Sequence, residues 1–139
     1  MKKRESVRDI MAFESLILYL NDGLYQAEKL FKKHRVSYLP VVDNAKIVGI
    51  LSIKDLVKIC FVDRHDPYDF TIDTSIYSMF TLEQIMVCNP VLISDKATIT
   101  QVAEIFLNVD YHVLPVLDDQ DDLLGLVSTN DIIKHFLKQ

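Results

Sequence analysis

A chain of 139 residues, half of them hydrophobic, is the length of one compact domain and carries enough apolar material for a core, which argues against disorder. Its net charge of −5 argues against a non-specific nucleic-acid binder, and its one basic run, Lys2-Lys3-Arg4, is too short to anchor a membrane alone. No apolar stretch is long enough to cross a bilayer, no secretory signal follows the N-terminal charges, and Cys60 and Cys88 make no disulfide framework, so a cytoplasmic protein with reduced thiols is expected.

The chain opens with a short helical turn over Val7 to Met11, followed by an apolar strand at Leu16 to Tyr19. Asn21-Asp22-Gly23 then turns the chain into a helix, on which Leu24, Ala27, Leu30, Phe31 and His34 recur at helical spacing and define one buried stripe. Two β-branched runs, Tyr38 to Asp43 and Lys46 to Leu51, meet across Asn44-Ala45 and read as an antiparallel hairpin. Ser52 caps a helix reaching Ile59 or a little beyond. Asp63 to Thr81 has no clean periodicity and reads as a packed linker with a short helical piece near Ile76 to Phe80. The order then returns. Leu82 to Met86 is a short helix, Val91 to Ser94 a strand, and Thr98 to about Val109 an amphipathic helix. His112 to Leu117 and Leu123 to Val127 form a second hairpin, and Ser128 starts the last helix.

The return is a duplication. Ile10-Met11 recurs as Ile85-Met86, and Tyr38 to Asp43 recurs as Val113 to Asp118 at the same offset. After one inserted residue, Gly49-Ile50-Leu51-Ser52-Ile53-Lys54-Asp55-Leu56 returns as Gly125-Leu126-Val127-Ser128-Thr129-Asn130-Asp131-Ile132. A unit repeated at fixed period cannot bury its apolar face alone and packs on its copy. The expected organisation is a first repeat over 1–62, a linker over 63–81 and a second repeat over 82–139. The seam between copies is where a small ligand would most naturally sit.

Gly-hydrophobic-hydrophobic-Ser-x-x-Asp is the segment able to carry chemistry. Each copy follows a strand and opens a helix, whose free N–H groups and partial positive charge suit an anion. The cap Ser can offer its hydroxyl to a phosphate or a ribose. The Asp three residues on can accept two hydrogen bonds from vicinal ribose hydroxyls. The same residues also read as an N-cap with a first-turn acid, worth about 1 kcal/mol of helix stability. Spacing leaves both readings open.

In order and in duplicate, these motifs resemble a tandem pair of cystathionine-β-synthase (CBS) domains, a Bateman module. The marks are Ile10-Met11, Leu39-Pro40-Val41-Val42-Asp43, and Gly49 to Asp55 with its second copy, and the likeness covers nearly everything except the linker. It implies an α+β fold of two β-α-β-β-α CBS repeats related by a pseudo-twofold axis, with the sheets packed together and the helices outside. It also implies two clefts, which in ligand-binding members hold AMP, ADP, ATP or S-adenosylmethionine, the motif Asp on the ribose and the Ser or Thr near phosphate. By position that nominates Ser52 with Asp55, and Ser128 with Thr129 and Asp131.

His34-Arg35-Val36-Ser37-Tyr38-Leu39-Pro40 is similar to the His-Arg segment with which γ subunits of AMP-activated protein kinase, members of this family, contact AMP phosphates. There the basic pair serves the nucleotide whose ribose the partner repeat holds, so the resemblance assigns His34 and Arg35 to the Asp131 cleft. Their counterparts, Val109 and Asp110, give the Asp55 cleft no cation and a repelling charge, with Lys54 as the one nearby compensation. The Asp131 cleft is therefore the stronger nucleotide site, and the Asp55 cleft is either the weaker one or one that prefers a ligand without phosphate. A solvated helix end that favours cations is the alternative account of His34-Arg35. Tyr38, Val113 and His112 are the candidate adenine-pocket residues.

Other chemistry finds little support. Asp118-Asp119-Gln120-Asp121-Asp122 lacks the glycine and distant glutamate of a calcium loop and reads as a solvated hairpin tip. His34, His65, His112 and His135 share no repeat position or ligand spacing with the cysteines, so no metal site is expected. No partnered nucleophile or phosphate loop is present, so no catalysis is expected. The expected function is regulatory. An adenosine nucleotide (AMP, ADP or ATP, with Mg²⁺ only beside a polyphosphate) binds between the repeats of a homodimeric module, which signals in trans to an unknown protein target. The alternative is a ligand-free oligomerisation or docking scaffold whose motifs are helix caps and nothing more. Neither nucleic acid nor membrane is an expected partner.

Overall fold

The computed structural model describes residues 5–13, 16–59 and 78–139. Lys2-Lys3-Arg4, Cys60, His65 and nearly all of the linker lie outside them; of the helical piece expected at Ile76 to Phe80 only the last three residues are described, with Ser78-Met79 in a turn. The chain forms two compact units, Leu16–Asn89 and Met1–Ser15 with Pro90–Gln139. Each contains one four-stranded sheet and its helices, an α+β arrangement.

In the Leu16–Asn89 unit the sheet order is β2-β3-β4-β5. Strand β2 (Leu18–Tyr19) runs parallel to β3 (Tyr38–Asp43), and a parallel pair needs a crossover, here helix α1 (Gly23–His34). The stripe read from the sequence is buried at Leu24, Ala27 and Phe31, while His34 is exposed at the helix end. Strand β4 (Lys46–Ser52) returns antiparallel through Asn44 and Ala45, both at positive φ, the conformation whose twist matches a tight hairpin. Helix α2 (Ile53–Val57) follows directly. Ile53, Leu56, Leu39, Val41 and Leu51 close the core with Leu18 and Phe31. Helix α3 (Leu82–Ile85) buries Leu82 in that core and delivers β5 (Val87–Cys88) to the free edge of β4.

The other unit has the order β1-β8-β7-β6. Strand β6 (Ile93–Ser94) lies parallel to β7 (Val113–Leu117) across helix α4 (Ile99–Phe106), and β8 (Leu123–Ser128) pairs antiparallel with β7 before entering helix α5 (Thr129–Leu137). Helix α4 is shorter than its apolar pattern suggested, because Leu107 and Asn108 already belong to a turn. Val7 and Met11 are buried with Ile93, Val102, Leu114, Val116 and Val127. Full burial of a side chain such as Val7 is worth about 2 kcal/mol, so the N-terminal segment is integral to this core.

Strands β1 (Ala12–Phe13) and β5 are two elements absent from the expected set. The opening segment of the first repeat completes the sheet of the second hairpin, and the opening segment of the second repeat completes the sheet of the first. The compact units are thus not the two halves of the sequence. Gly49 and Gly125 are the reason. A Cβ on Gly125 would meet the Ala12 carbonyl oxygen and the Phe13 Cα, and one on Gly49 would lie 2.9 Å from the Val87 carbonyl oxygen. The glycine of each motif copy is therefore the space through which an incoming strand reaches the sheet.

Candidate functional site

Each motif copy forms a corner where a strand turns into a helix, and each corner lies wholly within one unit. In the first, Ser52 is extended (φ −95°, ψ 153°), and its Oγ accepts the Asp55 amide at 3.0 Å, which is N-cap geometry. The Ile53 amide donates to the Ser37 carbonyl at 2.9 Å, tying the helix start to the residue before β3. Tyr38 therefore stands in register with Ser52. The Asp55 carboxylate is partly buried, with Oδ1 3.8 Å from Lys58 Nζ. Burial pushes the Tyr38 phenol above its ordinary value, and the negative charge of Asp55 pushes in the same direction. Lys54 is exposed on the first turn of α2.

The second corner repeats this frame with a difference in bonding and several in composition. The Thr129 amide donates to the His112 carbonyl at 2.9 Å, and Val113 stands in register with Ser128. Ser128 Oγ accepts the Asp131 amide at 3.2 Å, and Asp131 Oδ2 in return accepts the Ser128 amide at 2.8 Å. This is a reciprocal capping box, which among the described residues the first corner does not complete. One oxygen of Asp131 is thus fixed by backbone, and among the described residues its Oδ1 carries no bond. Such a carboxylate is preorganised to accept a ligand hydroxyl through the remaining oxygen. Position 113 is a buried valine, so this corner lacks the phenol of the first.

His34 is the last residue of α1, and Arg35 is its C-cap in the left-handed region (φ 50°, ψ 41°), with its amide donating to the Phe31 carbonyl at 2.9 Å. Both side chains are exposed, and both belong to the Leu16–Asn89 unit. Cations suit a helix C-terminus whether or not a ligand is present. Asp110, the counterpart of Arg35, is exposed as well. His112 is exposed and contributes its carbonyl rather than its ring to the corner frame. Among the described residues no three His, Cys, Asp or Glu side chains converge on a point that could hold a metal ion. Nor is any described helix long and apolar enough to cross a membrane. An open depression of about 520 Å³ lies along α4, bordered by Leu92, Ser94, Gln101, Glu104 and Asn108, and no motif residue lines it.

Two β-α-β-β-α sets, each with a capped serine and an acid at the hairpin-to-helix corner, fit a family model that matches residues 7–61 and 82–138, the CBS domain. The chain belongs to the CBS domain family. As a CBS pair it is similar to solved structures over its whole length. The CBS domain pair of protein MJ0100, in complex with 5′-methylthioadenosine and S-adenosyl-L-methionine, matches with a TM-score of 0.75 and 25% identity, covering 98% of each chain. CBSX2 in complex with AMP matches with a TM-score of 0.71 over 96% of this chain and 97% of that one; at 20% identity the likeness is one of fold. Among curated sequences, the L-aspartate semialdehyde sulfurtransferase of Methanocaldococcus jannaschii is 26% identical over 131 residues. That match covers 94% of this CBS pair but only 23% of the enzyme.

Proposed function

We propose that this CBS pair is a regulatory module that binds an adenosine compound and relays its presence to a protein target. Ser128, Thr129 and Asp131 form the principal ribose-binding corner, with His34 and Arg35 as the cations for a phosphorylated ligand. Ser52, Lys54 and Asp55 form a weaker corner. The observation that carries this reading is Asp131 Oδ1, an oxygen without a bond among the described residues, on a carboxylate held still by its own capping box. The likeness to a CBS pair in complex with 5′-methylthioadenosine and S-adenosyl-L-methionine supports the adenosine part. AMP, ADP and ATP are the expected phosphorylated ligands, with Mg²⁺ only beside a polyphosphate. A ligand regulates only by binding one conformation more tightly than another, so the relay requires such a difference. The module acts as a cytoplasmic homodimer and signals in trans.

The scaffold reading is favoured by a separate observation. Ile133, Phe136 and Leu137 on α5 are exposed apolar residues, a face suited to a protein contact that needs no ligand.

Thermal unfolding against adenosine, AMP, ADP, ATP with and without Mg²⁺, NAD, S-adenosylmethionine and GMP separates the two. A ligand at a hundredfold its Kd adds about 2.7 kcal/mol, which raises Tm by roughly 9 °C for a domain of this size. The expected result is a shift with adenine ribonucleotides, none with GMP, and loss of the shift in Asp131→Ala but not in Asp55→Ala. An unmoved transition across the whole panel overturns the nucleotide reading in favour of the scaffold.

A further inference from the structure

The two motif acids occupy different seats. Asp131 Oδ2 lies on the Ser128 amide at 2.8 Å and closes its capping box. Asp55 turns the other way, with Oδ1 3.8 Å from Lys58 Nζ, and among the described residues its corner completes no box. The rest of the frame matches. Both cap serines are extended, both accept the amide of the acid, and each first helical amide donates to the residue before its hairpin. The sequence also supplies a lysine three residues after each acid, Lys58 and Lys134. The helices differ. Helix α2 has five residues with Lys58 as its C-cap, whereas α5 has nine and Lys134 lies within it. Peptide dipoles sum along a helix, so the pull that seats a carboxylate on its cap is weaker at α2. The C-terminal end of α2, one turn from Asp55, favours the cation that competes for the acid.

We propose that Lys58 is a positioning residue of the first corner: it draws the Asp55 carboxylate off its cap and so makes that corner the weaker ribose site. The inference rests on the ribose-binding reading of the two corners given above. A return bond to an exposed cap amide and an exposed ion pair are both weak contacts of similar size. A difference in helix length is therefore enough to decide which of them the acid makes. On its cap the carboxylate is held still and offers one oxygen in a fixed direction, as Asp131 does. Drawn toward a lysine that is itself 76% exposed, it has no such support. A ribose entering the first corner has to displace the lysine and reseat the acid. At the second corner the acid already sits on its cap.

The test reads the seat of the acid and the binding of ligand separately, on the full chain. In ligand-free hydrogen exchange followed by NMR, the Ser52 amide should exchange faster than the Ser128 amide in wild type. Lys58→Ala should slow Ser52 exchange, while Lys58→Arg, which keeps the charge, should leave it fast. An unchanged Ser52 rate in Lys58→Ala overturns the proposal. Titration calorimetry with adenosine, which offers no phosphate to a lysine, reads the first corner in an Asp131→Ala background. There Lys58→Ala should tighten binding about two- to fivefold, the range an exposed ion pair can supply, and Asp55→Ala should abolish it. Unaltered affinity, or no binding, in Lys58→Ala/Asp131→Ala when wild type binds overturns the proposal and leaves the Asp131 site standing. Absence of uptake by wild type itself overturns the ribose-binding reading and this inference with it. Lys58 projects into solvent, so its substitutions preserve the fold, which thermal unfolding of each variant checks.

Discussion

Gly125, in register with Phe13 on the adjacent strand, lies so close to Ala12 that a Cβ on the glycine would overlap the Ala12 carbonyl oxygen. The neighbouring obstacle, the Phe13 Cα at 2.9 Å, is also backbone, and neither atom can turn aside. Gly125→Ala therefore has to push β1 off β8, at a cost of about 2–3 kcal/mol. At Gly49 the nearest atoms belong to the Met86 thioether, which can rotate, with the Val87 carbonyl at 2.9 Å behind it. Gly49→Ala should cost about 1–2 kcal/mol. Urea unfolding of the two variants should rank them in that order, and equal midpoints would contradict the strand-exchange account.

The unequal bonding of the two acids predicts unequal costs without any ligand. Asp131→Ala removes the return bond to the Ser128 amide as well as a favourable first-turn charge, a loss of about 1 kcal/mol. Asp55→Ala removes the first-turn charge and a long contact with an exposed lysine, about 0.3 kcal/mol. Chemical denaturation in the absence of nucleotide reads the difference directly. The ligand-induced thermal shift of each variant is accordingly measured against its own ligand-free transition, which already contains the lost cap.

Much of this was legible because the relevant signals are local. Helical spacing gave α1, Asn44-Ala45 between β-branched runs gave the first hairpin, and Ser-x-x-Asp gave both helix starts. The exchange of β1 and β5 was not, since two-residue strands carry no periodicity and their partners are distant in sequence. Its one trace was the pairing of a recurring Ile-Met with a recurring glycine, and indeed Met86 and Met11 are the side chains that approach Gly49 and Gly125. The duplicated serine and acid were evident, whereas their different bonding was not, because it depends on whether each carboxylate folds back onto its cap or toward Lys58. Tyr38 was noted as a pocket residue. That it stands opposite the cap Ser52 follows from the strand register, which no single segment encodes.

Arg8 Nη1 holds Asp95 Oδ2 at 2.6 Å, and this pair fastens the N-terminal segment beside the backbone bond from the Val7 amide to the Ala97 carbonyl. The Asp95 side chain is 10% exposed, and its Oδ1 is buried without a partner among the described residues. Arg8→Ala leaves that carboxylate uncompensated. The cost should be about 2 kcal/mol, below the 3–5 kcal/mol of a fully buried pair because Arg8 remains half exposed to solvent. In a double-mutant cycle with Asp95→Asn the coupling should be about 1 kcal/mol, and a value near zero would reduce the pair to a surface contact.

Tyr38 gives the protein a defined alkaline weakness. Its phenol ionises at higher pH in the folded chain than in the unfolded one, so at alkaline pH the folded state holds the proton that the unfolded state has released. Stability from this source is complete below the unfolded value of about 10 and is lost as pH rises from there through the folded value. Tyr38→Phe removes the titration and should flatten that part of the curve. Asp55→Asn removes the smaller of its two causes and leaves burial, so its slope should fall between wild type and Tyr38→Phe. Urea midpoints at pH 9, 10 and 11 order the three proteins; an Asp55→Asn slope equal to wild type would mean that the carboxylate does not act on the phenol.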